Sequence, residues 1–363
     1  MPLRAKIEHW LERQWQRRGI WAWTMAPLAL IFGLLLKLRR HLSPFKTSNT
    51  RFSVPIVVVG NIYIGGTGKT PVVIALVQQL RELGWQPGVI SRGYGTRIGE
   101  HPIVGQGHLD ANRYGDEPAL IARESGAPVS VHPNRSQAYF YLLERYPQVD
   151  VVISDDGLQH RRLYRDIEII VQDNRGAGNG WLLPAGPLRE PVSRLKTVQA
   201  LISRIDGDTP LAIKKQSALL AGGQLSTGLA RLTKASLRVE RFRNLVTGQV
   251  LETHRFVQFA KEKKVIAIAG IANPSRFFLT LENMGLTLAH SKALADHFVF
   301  SPPFFNNLDS DIVLMTSKDA VKCENTADKR LWVAEAEMRF SDPEFICWLD
   351  HQLLAKAVRT RGD

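Results

Sequence analysis

The stretch Gly65-Gly66-Thr67-Gly68-Lys69-Thr70, followed by Pro71, constrains this chain more than any other. A β-branched run at 56–59 precedes it, and apolar residues at 72, 73, 76, 77, 80 and 83 follow at helical spacing. Strand, glycine-rich turn and helix are the setting in which a phosphate-binding loop works. Glycines let backbone N–H groups approach phosphate oxygens, and the helix N-terminus adds a favourable dipole. Lys69 then reaches the β/γ-phosphates, and Thr70 offers its hydroxyl to Mg²⁺. The usual spacing wants glycine at position 63, where this chain has Tyr63. The expected nucleotide-binding residues are Tyr63, Ile64, Gly65, Gly66, Thr67, Gly68, Lys69 and Thr70.

The partner signal, an acidic residue ending another hydrophobic strand, is supplied by Asp155 and Asp156 after the apolar run at 151–153. Two adjacent carboxylates beside a phosphate loop suit Mg²⁺, although Asp155-Asp156-Gly157 also suits a plain turn. The Asn-Lys-x-Asp element of GTP-binding proteins is missing, and Thr316-Ser317-Lys318-Asp319 has the wrong spacing, so ATP is the expected nucleotide. Further buried strands are expected at 88–91, 149–154, 167–171, 265–269 and 312–315, a hairpin at 237–252, and a helix opening at Pro274. The rhythm reads as α/β: a doubly wound, mainly parallel sheet of the phosphate-loop type with a second, smaller α/β domain. The expected division is 1–45, a membrane-associating helix; 46–225, the nucleotide domain; and 226–363, the smaller domain with its linker hairpin.

Charge sharpens the reading of the N-terminus. The chain has 363 residues and a formal charge of +13, and residues 1–50 hold nine Lys/Arg against Glu8 and Glu12. These flank an uncharged stretch at 19–36, about 27 Å long as a helix, at the short limit for a span. No small-residue cleavage site follows it, and Lys37, Arg39 and Arg40 do, which fits an anchor at an anionic membrane surface rather than a removed signal. Trp10, Trp15, Trp21 and Trp23 suit interfacial depth, and Pro27 weakens a straight span. Nucleotide binding is expected to be independent of this segment. The charge is concentrated beside apolar residues, with no aromatic-rich basic patch, so nucleic acid is not an expected partner; no protein partner is inferred. Two cysteines, Cys323 and Cys347, supply neither a disulfide framework nor a thiolate metal site and fit a reducing compartment.

Several motifs, in order, carry a resemblance: GGTGKTP (65–71), SRGYG (91–95), GDEP (115–118), DDGLQH (155–160), GNGWLLPAGPLRE (178–190), GIANPSRFF (270–278), ADH (295–297) and TSKDAVKC (316–323). Together they resemble the tetraacyldisaccharide 4′-kinases, the lipid A 4′-kinases of Gram-negative bacteria, over nearly the whole chain. One departure is Ser317, where the family often has Glu. The resemblance implies transfer of the ATP γ-phosphoryl group to the 4′-hydroxyl of an acylated glucosamine disaccharide 1-phosphate, giving lipid IVA, at the cytoplasmic face of the inner membrane. It implies Asp116 as base paired with His297, Lys69 and Arg189 as charge stabilisers, and Thr70, Asp155 or Asp156, and Glu190 as the Mg²⁺ set. Arg92, Arg135 and His160 are left as unranked candidates. The competing reading is a membrane-attached nucleotide hydrolase acting as a regulator or metallochaperone.

Overall fold

The computed structural model describes residues 10–42, 52–205, 230–271, 273–296, 298–323 and 326–361. The expected domain limits at 45/46 and 225/226, and His297, lie outside the described residues. Among those described, one sheet contains β1 (Ile56–Gly60), β2 (Pro87–Ser91), β3 (Ile103–Gly105), β4 (Val129–Val131), β5 (Val151–Asp155), β6 (Ile167–Gln172), β7 (Ala200–Ile205), β8 (Arg231–Asn244), β9 (Val250–Glu252), β10 (Val265–Ala269), β11 (Leu288–Ala293), β12 (Ile312–Thr316) and β13 (Leu331–Phe340). The order is β11-β10-β12-β13-β8-β7-β6-β1-β5-β2-β4-β3, with β9 paired to β8. Pairing is parallel except at β3/β4, β8/β13 and β8/β9, the last being the expected hairpin.

Why this is a covered parallel sheet is visible in β1. Ile56 and Val58 enter one apolar cluster, and Val57 and Val59 enter the other. A strand apolar on both faces must be covered on both. Helices Lys69–Glu82 and Asp116–Ser125 cover one face and Arg135–Arg145 the other. The last of these starts where Asn134 accepts from the Ser136 and Gln137 amides, a cap for otherwise unpaired donors. The same alternation recurs in β10. Val265, Ala267 and Ala269 pack with Phe256 and Leu281, while Ile266 and Ile268 pack with Phe305. Helix Pro274–Asn283 opens at Pro274, with Asn273 accepting from the Arg276 amide.

The two α/β halves share the sheet: β7 pairs parallel with β8, whose other edge runs antiparallel to β13. Helix Phe345–Arg361 then returns to the first half. Phe345, Leu349 and Leu353 join the cluster of Leu76 and Leu80, each fully buried aliphatic side chain contributing roughly 1.5–3 kcal/mol. Trp85 Nε1 donates to Asp350 Oδ1 at 2.7 Å beside them. The end of the chain therefore braces the helix that follows the glycine-rich loop.

Helix Ile20–Leu42 stands apart from these clusters. Its segment Ile20–Arg39 is long and apolar enough to cross a membrane, with mean hydropathy 1.6, yet only 11% of its apolar window is buried within the protein. Leu30 and Leu34 are 75% and 67% exposed. An apolar surface of that extent fits membrane association.

Candidate active site

Register brings the first chemistry together. β1 lies between β5 and β6, and Val59 is opposite Asp155, so the loop leaving β1 and the two carboxylates ending β5 meet at the same sheet edge. In that loop Gly65 has φ 92° and Gly68 has φ 79°, a backbone that side chains with a Cβ rarely adopt. Gly68 precedes helix Lys69–Glu82 without a side-chain cap, which leaves the first helical N–H groups for a ligand. The buried Asn61 braces the turn from beneath, its Nδ2 donating to Gly65 O at 3.2 Å and Thr67 Oγ1 at 3.1 Å. Upstream, the Ile64 amide donates to Pro187 O at 2.9 Å and Tyr63 bridges to Leu188. Tyr63 and Ile64 therefore pin the loop, and 65–70 is the part that presents backbone and side chains to an anion.

Charges converge above it. Lys69 Nζ lies 3.4 Å from Asp156 Oδ1, and Arg189 Nη1 lies 3.9 Å from Asp156 Oδ2. Asp156 holds φ 50°, a left-handed conformation that Asp tolerates. Asp155 is buried, and its Oδ1 accepts no hydrogen bond. Burial pushes its carboxyl up to about 7; Glu117 and Asp156 add to the shift while Lys69 and Arg135 oppose it. An orphaned buried oxygen among negative neighbours is a place that a cation suits. Glu190 sits nearby through Gln159, whose Nε2 donates both to Asn61 O and to Glu190 Oε1 at 3.0 Å, while Arg194 Nε pairs with Glu190 Oε2 at 3.4 Å. Thr70 is the second residue of helix Lys69–Glu82.

Asp116 opens helix Asp116–Ser125 after Gly115 at φ 96°. It borders a cavity of about 410 Å³ lined from the first half by Tyr94, His108 and Asn112 and from the second by Phe300 and Lys322. Two lysines of the second half reach across: Lys322 Nζ lies 3.8 Å from Asp116 Oδ2, and Lys318 Nζ lies 3.4 Å from Glu117 Oε1 and 3.2 Å from Asp296 Oδ1. Lys322 is aimed by the fully buried Asp319, 2.9 Å away, whose Oδ2 also accepts from the Gly270 amide and the Thr316 hydroxyl. Glu117, the residue after Asp116, is also among the charges that raise the Asp155 carboxyl, so the field of this helix start reaches the end of β5.

The tetraacyldisaccharide-1-P 4′-kinase family model matches residues 21–354. The chain belongs to that family. A tetraacyldisaccharide 4′-kinase of Bordetella parapertussis is 47% identical, the match covering 95% of this chain and 96% of that one. The corresponding protein of Herminiimonas arsenicoxydans is 42% identical over 94% and 96% of the two chains. Among solved structures, the "apo" form of LpxK from Aquifex aeolicus in complex with ATP superimposes with a TM-score of 0.73 at 24% identity, covering 92% of this chain and 99% of that chain. That likeness supports the mixed α/β fold of this family member.

Of the residues singled out in the sequence, Lys69, Thr70, Asp155, Asp156, Arg189 and Glu190 gather at one sheet edge, and Asp116 borders the cavity between the two halves of the sheet. Arg135 is buried beneath them, donating to His132 O at 3.0 Å and Asp155 O at 3.4 Å, and burial lowers it to about 10. His160 is pushed down to about 4 by burial, with Arg135 and Arg165 adding to it. Arg92 is exposed. Sequence reasoning missed Asn61, Gln159, Glu117, Lys318 and Lys322. The lysines stand inside the quoted TSKDAVKC, and their i, i+4 spacing was the available signal that both face one way.

The raised Asp155 has a measurable consequence. Between about pH 4 and pH 7 the native side chain keeps a proton that the unfolded one has lost, so its contribution to stability declines as pH rises through that window. Above it, the buried charge is a constant destabilising load. Asp155→Asn should therefore melt higher than wild type at pH 8 without nucleotide, by about 4 °C or more, the gap closing toward pH 4. Thermal melts of both proteins at the two pH values check this, and equal melting at pH 8 contradicts it.

Proposed function

We propose that this chain transfers the γ-phosphoryl group of ATP to the 4′-hydroxyl of a tetraacyldisaccharide 1-phosphate, yielding lipid IVA, at the cytoplasmic face of the inner membrane. The observation that carries the reading is the meeting of the glycine-rich loop, Lys69 and the Asp155-Asp156 pair at one sheet edge, with Asp116 bordering a cavity lined by both halves of the sheet. The named relatives supply the substrate class, and the solved relative's bound ATP supplies the donor. In this reading residues 65–70 hold the triphosphate by backbone N–H groups, and Lys69 leaves Asp156 for the β/γ-phosphates. Arg189 supports the charge that spreads over the transferring group. The acceptor hydroxyl lies in the cavity against Asp116, which takes its proton, with His297 as the partner that orients it. Mg²⁺, when bound, supplies further stabilisation of that charge, and Thr70, Asp155 or Asp156, and Glu190 are its proposed holders. The unpartnered Asp155 Oδ1 supports the fit. No group of three or more His, Cys, Asp or Glu suited to a metal occurs among the described residues; Mg²⁺ typically takes only one or two carboxylates together with substrate phosphates and water, so the holders named here would be enough.

Incubation with γ-labelled ATP, Mg²⁺ and acylated disaccharide 1-phosphate in detergent, followed by locating the label, tests the proposal. Label on the non-reducing sugar is the expected result; release of inorganic phosphate alone would return the chain to the hydrolase reading. The exposed face of helix Ile20–Leu42 is proposed to hold the enzyme where its lipid substrate lies. Replacing Leu30, Leu34 and Leu38 together by Ser removes roughly 1.5–3 kcal/mol of burial per side chain inserted in lipid. Binding to anionic vesicles should then fall at least about tenfold, measured by sedimentation, while ATP binding persists.

A further inference from the structure

Arg175 has no part in the site described so far, yet its guanidinium touches the phosphate loop. Nε and Nη2 donate to the Asp173 carboxylate, the closest contact being Nη2 to Oδ2 at 2.7 Å. Nη1 donates to Glu12 Oε1 at 3.0 Å, and Nη2 also donates to Gly66 O at 2.8 Å. Its carbon centre lies 4.4 Å from the centroid of the Tyr63 ring. Tyr63 is the residue at which the chain departs from the usual glycine spacing, so the departure provides the surface on which Arg175 rests. One planar fork ties the end of β6, the N-terminal segment and two positions of the loop, a set that a lysine's single ammonium cannot span.

The chain that follows Arg175 also seats the N-terminal segment. Trp15 Nε1 donates to Pro184 O at 3.0 Å, the Asn179 amide donates to Trp15 O at 2.8 Å, and Arg18 Nε donates to Asn179 O at 3.1 Å. Gly178 permits this approach, since a Cβ there would lie 2.8 Å from Trp15 O. Trp23 stacks edge-on against Trp181 at 5.0 Å. Residues 175–188 thus hold the N-terminal segment on one side and the phosphate loop on the other.

We propose that Arg175 is a positioning residue that holds the Gly66 turn in its nucleotide-ready form and transmits to it the seating of the N-terminal segment. The proposal rests on the phosphate-loop reading of residues 65–70, and it replaces the expectation that nucleotide binding is independent of the N-terminus. Glu12 is half exposed, so its ion pair alone contributes little; the coupling runs mainly through the shared 175–188 segment. Arg175 contacts the backbone of the loop rather than a reacting group, so its loss weakens ground state and transition state alike and appears in nucleotide affinity rather than in kcat.

In the full-length chain in detergent, Arg175→Ala should raise the Kd for a fluorescent ATP analogue about tenfold and change kcat less than about threefold. Arg175→Lys should recover less than half of that loss, and it stands in if the alanine variant does not fold. Trp15→Ala should raise the Kd about threefold, and the double variant should match Arg175→Ala rather than the product, because both act through one segment. A Kd within twofold of wild type for both Arg175 variants overturns the proposal, as does a double variant whose loss is multiplicative. Lys69→Ala is the control: if it too binds the analogue normally, the phosphate-loop reading itself fails, whereas loss in Lys69→Ala alone confines the failure to Arg175.

Discussion

Lys69→Ala is expected to lower turnover by about 10²-fold or more while leaving the fold intact. Lys69 is the first residue of its helix and stands at the open sheet edge; the apolar side chains that bury this helix begin at Val72. Among the described residues its ion pair is with Asp156, 38% exposed where Lys69 is 12% exposed, so removing the ammonium costs some stability but leaves the apolar contacts of the helix in place. The catalytic loss is large because the ammonium acts on charge that builds on the phosphates during transfer, at a site walled by the sheet edge and the 187–190 segment. Steady-state kinetics with thermal melts decide the matter: near-normal turnover, or a melting point lowered by 10 °C or more, contradicts the assignment. Arg189, 3.9 Å from the same Asp156 carboxylate, predicts a smaller effect in the same direction.

For Asp116→Asn, the expected loss in kcat is about 10³-fold, within the range for a lost general base, with the KM for ATP almost unchanged. Asn keeps the size and the position at the start of helix Asp116–Ser125 but cannot take a proton. Asp116 lies in the cavity rather than in the phosphate loop, which is why nucleotide affinity should survive. Lys322 Nζ, 3.8 Å from Asp116 Oδ2, borders the same carboxylate. If His297 orients Asp116 as proposed, the Asp116/His297 double variant should lose no more than the worse single one, since parts of one unit are not additive. Two large independent losses that multiply argue against the pair.

Much of the fold was legible in the chain because its information is local. The β-branched run before Gly65, the spacing of Val72, Leu76 and Leu80, and the acids after the 151–153 run each specify an element within ten residues or so. The conformation of the loop could be read for the same reason, because Gly65 and Gly68 announce its left-handed backbone. GDEP, DDGLQH and LPAGPLRE named a family, and with it roles that no periodicity contains.

Tertiary structure decided the rest. That Lys318 meets Glu117, 201 positions away, depends on β12 pairing into the same sheet as β1. That helix Phe345–Arg361 braces the first half through Trp85 and Asp350 depends on a contact across 265 positions. That Glu12, Arg175 and Gly66 form one chain depends on contacts across 163 and 109 positions. Such contacts leave no pattern in a single sequence, because a charged side chain on a loop is compatible with solvent as well as with a distant partner. The sequence by itself determined the family and the turns that carry its motifs; the sheet order determined which of those turns face one another, and so where the candidate site lies.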